Sequence, residues 1–227
     1  MINQFELRQK FLANQYTIKN LQQDFYDWHQ GRSRYVLWAV DVDFPAVQQQ
    51  MAMASQHLAK FLLEDYCRQP HITLGICGFL NNKSPRVDDY TASRFEADLE
   101  ALKKAHLQPF GVEISSLASF RSAPFFYVKQ AANILHNLHT CLHSVTCDAD
   151  FQYVPHVTVG LYSDTWLTQI VSNHLDNFQK NGVINCQVNK ISLMSYAASE
   201  IGGRLTTIAH YDLEHAEIKW HEAPLFD

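Results

Sequence analysis

Two stretches of this chain share one spelling, PHITLG at residues 70–75 and PHVTVG at 155–160. In a strand, alternation puts His71 and Thr73 on one face and Ile72 and Leu74 on the other. The same holds for His156 and Thr158 against Val157 and Val159. The aliphatic pairs belong in a core, so the His–Thr pairs must look into a groove or out to solvent. Imidazole has an unperturbed pKa of about 6.5, so near neutrality one ring can accept a proton while another gives one up. Threonine hydroxyls can donate to oxygens on which negative charge accumulates. Two imidazoles and two hydroxyls around one cavity suit in-line displacement at phosphorus. One histidine deprotonates the attacking water or hydroxyl, and the other protonates the oxygen that departs on the opposite side. No step calls for a metal, and a bell-shaped pH profile follows. Pro70 and Pro155 suit the first residue of a strand, where no ladder donor is needed. Gly75 and Gly160 allow a ligand or another chain segment to come close, or mark bulges. One His-x-Thr carries little weight. Two that share flanking residues, at equivalent places in a duplicated pattern, are hard to obtain by accident.

The elements around the motifs repeat as well. RYVLWAVDV (34–42) reads as a buried strand, followed by a helix that Asp43 caps, with Pro45 in its first turn and Val47, Met51, Ala54, Leu58 and Leu62 as its stripe. The first motif strand, a helix marked by Phe95, Leu99 and Leu102, and the extended FGVEISSL (110–117) come next. The order then recurs. PFFYVKQ (124–130) is a strand, and residues 131–146 carry Ile134, Leu138, Leu142 and Val145 on one helical face. PHVTVGLY is a strand, residues 164–180 are a helix, and INCQVNKISLMSY and RLTTIAHYDL are two closing strands around Gly202–Gly203. The copies span about 35–118 and 124–196, a two-fold duplication rather than a solenoid. The expectation is an α+β fold of two halves related by a pseudo-two-fold axis. Residues 1–33 lie outside the duplication and read as a helical packing arm with Phe11, Ile18, Leu21 and Phe25 as apolar points. Residues 214–227 read as a tail.

Bulk properties narrow the function classes. The chain has 227 residues and a net charge of −5, and it is 47% hydrophobic and 18% charged. An acidic balance argues against binding duplex DNA through a basic face, but a few local arginines could still meet a small phosphate substrate. MINQFELRQK lacks the basic-then-apolar pattern of a signal peptide, and YVLWAV is too short to cross a bilayer. Five cysteines without framework spacing read as reduced thiols. The expectation is a cytoplasmic monomer without membrane association.

HITL (71–74) and HVTV (156–159) resemble the paired His-x-[Thr/Ser]-x motifs of the 2H phosphoesterase superfamily, which includes the 2′-5′ RNA ligase-like proteins and the cyclic phosphodiesterases. RYVLWAVDV resembles that family's first strand, GVEISSLASFRSAPFFYV (111–128) the hairpin between its lobes, and RLTTIAHYDL its last strand. The resemblance covers roughly 34–213. It implies a bilobal duplicated fold with two antiparallel-type sheets and an active-site groove between the lobes, with His71, Thr73, His156 and Thr158 as catalytic positions. It also implies hydrolysis, without a metal or other cofactor, of 2′,3′-cyclic or 2′-5′ phosphodiesters of nucleotides or RNA ends, and in some members reversible joining of RNA ends. Within it, His156 is assigned as base toward water and His71 as acid. In such a fold SFRSAP lies near the groove, so Arg121 could clamp a phosphate. Arg32 and Arg34 are read as surface residues. Phe79, Phe126 and Tyr162 are aromatic, and Tyr162, shortly after the second motif, is the one assigned to stack on a base. His136, His139 and His143, with Cys141 and Cys147 nearby, have helical spacing, but the apolar stripe of that helix already explains them and no metal is expected. The competing function is a nucleotide- or RNA-binding module with little or no turnover, against which stands the presence of both histidines.

Overall fold

The computed structural model describes residues 3–81, 85–129, 131–142, 152–179, 182–221, 223 and 225. Asn3 opens helix α1 (Gln4–Leu12) with a capping box, in which its Oδ1 accepts from Glu6 N and Glu6 Oε2 accepts from Asn3 N, both at 3.0 Å. Residues 13–25 are not a continuation of that helix. Thr17 N donates to Trp166 O and Ile18 N to Arg121 O, so the backbone is engaged by the second lobe before the short helix α2 (Tyr26–His29). Phe11 is buried, whereas Ile18 and Leu21 are each 45% exposed. The apolar points of the expected arm are thus split, because backbone pairing and not a helical stripe holds this segment.

Strand β1 (Arg34–Asp41) is followed by α3 (Pro45–His57), with Pro45 at its first position. Phe44, not Asp43, is the N-cap, and Asp43 Oδ1 instead accepts from Gln48 Nε2 at 2.8 Å. Then come β2 (His71–Leu80), the two-residue β3 (Asp89–Tyr90) and α4 (Ala92–Ala105). Strands β4 (Phe110–Ser119) and β5 (Pro124–Val128) form the inter-lobe hairpin. The second copy continues with α5 (Ala132–Leu142), β6 (His156–Thr158) and α6 (Thr168–Asp176). Val145, expected on the α5 stripe, lies outside the described residues. The chain closes with β7 (Ile184–Val188), β8 (Lys190–Ala197), β9 (Thr206–Asp212) and β10 (Glu217–Trp220).

INCQVNKISLMSY is therefore two strands, not one. Ile184, Cys186 and Val188 occupy even positions, and Ile191 and Leu193 odd ones. That slip of phase would turn the second set outward in an unbroken strand. The break at Asn189 lets β7 join one sheet and β8 the other. The sheets run β10-β9-β8-β1-β2-β3 and β6-β5-β4-β7, antiparallel except for β2 with β3. Each copy lends its last strand to the other: β4 pairs with β5 and β8 pairs with β1. The result is an α+β molecule of two duplicated lobes, with one large core running through both. Val36, Trp38, Val40, Ile72 and Leu74 from one sheet and Phe126, Val128 and Val157 from the other belong to that single cluster. None of the described helices is long and apolar enough to cross a membrane.

Candidate active site

Strand register decides which residues face the histidines. His71 stands opposite Asp41 and Thr73 opposite Ala39, while His156 stands opposite Tyr127 and Thr158 opposite Phe125. Ile72, Leu74 and Val157 are 0% exposed, as the alternation requires. The glycine after each motif gives room to a chain segment. A Cβ at Gly75 would lie 2.4 Å from Leu142 O on α5, and one at Gly160 would lie 3.0 Å from Leu62 Cδ1.

The two imidazoles are held alike. His71 Nδ1 donates to Gln69 O and His156 Nδ1 donates to Val154 O, each across 2.7 Å. A carbonyl can only accept, so each Nδ1 carries the hydrogen. In the neutral ring Nε2 is then left with its lone pair, ready to receive a proton. Burial pushes the His71 pKa down to about 4, the nearby charges of Arg68 and His156 push the same way, and the bond to Gln69 opposes them. Burial also lowers His156, against the bond to Val154. The His156 ring is met by Phe120 at 5.0 Å, edge to face, and by Phe125 at 5.1 Å.

A hydroxyl ties the two motifs together. Tyr153 Oη, two residues ahead of Pro155, donates to Thr73 O across 2.7 Å. The Tyr153 ring stacks on His139 with centroids 4.0 Å apart and planes at 7°. His139 Nδ1 in turn donates to Leu74 O at 2.7 Å, where a bulge in the β1–β2 register leaves Leu74 without a partner residue. The histidine run on α5 thus contributes a structural contact to β2. His143 and Cys147 lie outside the described residues, and among the described residues no cluster of three His, Cys, Asp or Glu side chains could hold a metal ion.

Other expected positions fall elsewhere. Tyr162 is fully buried and its Oη sits 2.5 Å from Ser119 Oγ, so neither face of the ring is open to a base. Its burial follows from the cross-lobe bridge with Leu62. Phe79 and Phe126 are likewise 0% exposed. Arg121 is exposed and turns to the N-terminal segment, its Nε 3.3 Å from Tyr16 O. Arg32 is no surface residue. Its side chain is 10% exposed, paired with Asp88 and Asp89 and set 3.8 Å above the Phe79 ring. Arg34 binds Ser195 Oγ at 2.9 Å. Tyr153 and Arg68 had no expected role, yet the repeat reaches them. DYCRQPHITLG (65–75) aligns with DFQYVPHVTVG (150–160), which puts Arg68 and Tyr153 at one position of the duplicated pattern.

A family model described as the 2′-5′ RNA ligase superfamily matches residues 44–200. Among solved structures, E. coli LigT complexed with 3′-AMP is 15% identical, with 79% of this chain and 98% of that one covered at a TM-score of 0.52. E. coli LigT complexed with ATP is 17% identical over 79% and 98% of the two chains, with a TM-score of 0.47. TT0787 of Thermus thermophilus is 13% identical over 79% and 97%, with a TM-score of 0.48. At such identities the likeness is one of fold. No curated protein matches the sequence.

Proposed function

Since this chain belongs to the 2′-5′ RNA ligase superfamily, we propose that it is a phosphodiesterase acting on 2′,3′-cyclic or 2′-5′ phosphodiesters of nucleotides or RNA ends. His71, Thr73, His156 and Thr158 are its working groups. The observation that carries this reading is the matched pair of Nδ1–carbonyl bonds, at Gln69 and at Val154, which leaves both Nε2 atoms for chemistry.

In hydrolysis, the base takes a proton from water as its oxygen bonds to phosphorus. The acid protonates the sugar oxygen as its bond to phosphorus breaks, and a phosphomonoester and a free hydroxyl result. The threonine hydroxyls donate to the non-bridging oxygens. The two environments favour the reverse of the assignment made from sequence. His71 is 6% exposed and feels the Arg68 cation, so it holds a proton less readily and serves as the base, which leaves His156 as the acid. Running the reaction backwards exchanges the roles and joins ends. The four groups supply base, acid and charge stabilisation without a metal.

The test is hydrolysis of 2′,3′-cyclic mononucleotides in excess EDTA. Turnover should persist in EDTA and fall by about 10²–10⁴ in His71→Ala and in His156→Ala. Wild-type rates in both variants would remove the proposal, and binding of nucleotides without turnover on cyclic or 2′-5′ substrates would replace it with a binding module.

A further inference from the structure

The duplication makes the histidines equivalent, and the residue three positions before each makes them different. On the second copy's side Tyr153 donates to Thr73 O and stacks on His139. On the first copy's side Arg68 stands at the matching position, and the space beside it is open. A cleft of about 300 Å³ is lined by Arg68 and Arg204 together with Gln48, Ser55, Gln69 and Pro70. Arg68 is pre-set there: its Nε donates to Gly203 O at 3.3 Å and its guanidinium lies 4.2 Å above the Tyr196 ring. A guanidinium fixed on an aromatic face loses little freedom when it meets an anion, and its fork suits phosphate oxygens. Arg204 is exposed on the loop before β9. Among the described residues the one carboxylate lining the cleft, Asp43, already accepts from Gln48 Nε2. In a chain with a net charge of −5, two arginines meeting in one cleft run against the overall field.

We propose that the Arg68–Arg204 cleft is an anion subsite that holds a second phosphate of the substrate, one nucleotide step from the phosphodiester at the histidines. This rests on the phosphodiesterase reading and deepens it. The preferred substrate carries a further phosphate, as a 5′-phosphorylated nucleotide or an RNA end does, rather than being a bare nucleoside cyclic phosphate. Arg68 stands three positions before His71, at most about 11 Å of extended chain, a distance that one nucleotide spans. The subsite also breaks the pseudo-two-fold symmetry, so a substrate enters in one direction only.

The experiment is calorimetric binding of adenosine 3′-monophosphate and adenosine 3′,5′-bisphosphate to the full chain at 0.15 M salt, which needs no turnover. The bisphosphate should bind at least about tenfold more tightly, the worth of one charge-assisted contact. That advantage should shrink towards one in Arg68→Gln and in Arg204→Gln. The second variant, at an exposed position, guards against a fold defect in the first. Equal affinities in the wild type, no binding of either nucleotide, or an advantage that survives both substitutions would overturn the subsite. Hydrolysis of 2′,3′-cyclic and of 2′-5′ phosphodiesters is assayed alongside. Its absence, with the bisphosphate preference intact, would sink the phosphodiesterase reading and leave the subsite standing.

Discussion

His71 makes a statement about stability as well as chemistry. Its pKa is about 4 in the folded chain against an ordinary value of 6.5. Between those values the unfolded chain takes up a proton that the folded chain refuses. The stability contributed by keeping His71 neutral is therefore complete above pH 6.5 and is lost as the pH falls towards 4. A gap of that size corresponds to about 3 kcal/mol. Urea unfolding at pH 7 and at pH 4.5 should show this loss, and His71→Gln, which cannot titrate, should flatten the dependence. An unchanged slope in the variant would mean that His71 is not buried as a neutral ring. That Ile72, Leu74 and Val157 turn into the core, opposite to the His–Thr face of each motif strand, was legible from spacing alone, because alternation in a strand is a local rule. Tyr162 was not. Nothing local distinguishes an aromatic that lines a groove from one buried by a bridge to a segment a hundred residues away.

At the level of elements, the two motif glycines show why one spelling can carry two different constraints. Gly75 faces the backbone carbonyl of Leu142, which is held in place by its own helix. Gly160 faces the tip of the Leu62 side chain, which can turn aside. Gly75→Ala should cost about 3 kcal/mol, near the upper end for overpacking, and Gly160→Ala less than about 1 kcal/mol. Thermal melts of the two variants measure the difference, and equal melting points would mean that α5 does not press on β2. The contact from Tyr153 to β2 can be tested separately. Tyr153→Phe leaves the Thr73 carbonyl without its donor, at a cost of about 1–2 kcal/mol. Because that carbonyl belongs to the motif strand, kcat should fall more than KM rises. A loss confined to stability would make the contact merely structural. Arg68 and Tyr153 stood in the sequence at one repeat position. Their difference gained meaning only once the structure put one beside a cleft and the other against β2.

On the scale of the whole molecule, the duplication and the architecture do not coincide. Each sheet is built from both copies, since β4 crosses to pair with β5 and β8 crosses back to pair with β1. Partner choice between distant strands leaves no periodic trace, so only the phase slip between Val188 and Ile191 announced the crossing. The N-terminal segment adds a second link between the lobes. Leu7 is buried against Ala118, Phe125, Tyr127 and Val154 of the second lobe, and Trp28 and Arg32 cover Phe79 of the first. Its anchor on the first lobe is an ion pair in which the Asp89 side chain is 0% exposed and that of Arg32 10%. Removing one member of such a pair strands the other charge away from water, which costs several kcal/mol, whereas pairs in solvent are worth little. Arg32→Ala should therefore lower unfolding free energy by about 3 kcal/mol. Asp88→Ala, whose carboxylate is 46% exposed, should lower it by less than about 1 kcal/mol. If the segment is an integral part of the fold, both variants should unfold in one cooperative transition that takes the N-terminal segment and the sheets together. A separate early transition confined to residues 3–33, followed by hydrogen exchange, would show instead that the segment is a detachable strap over two lobes that stand without it.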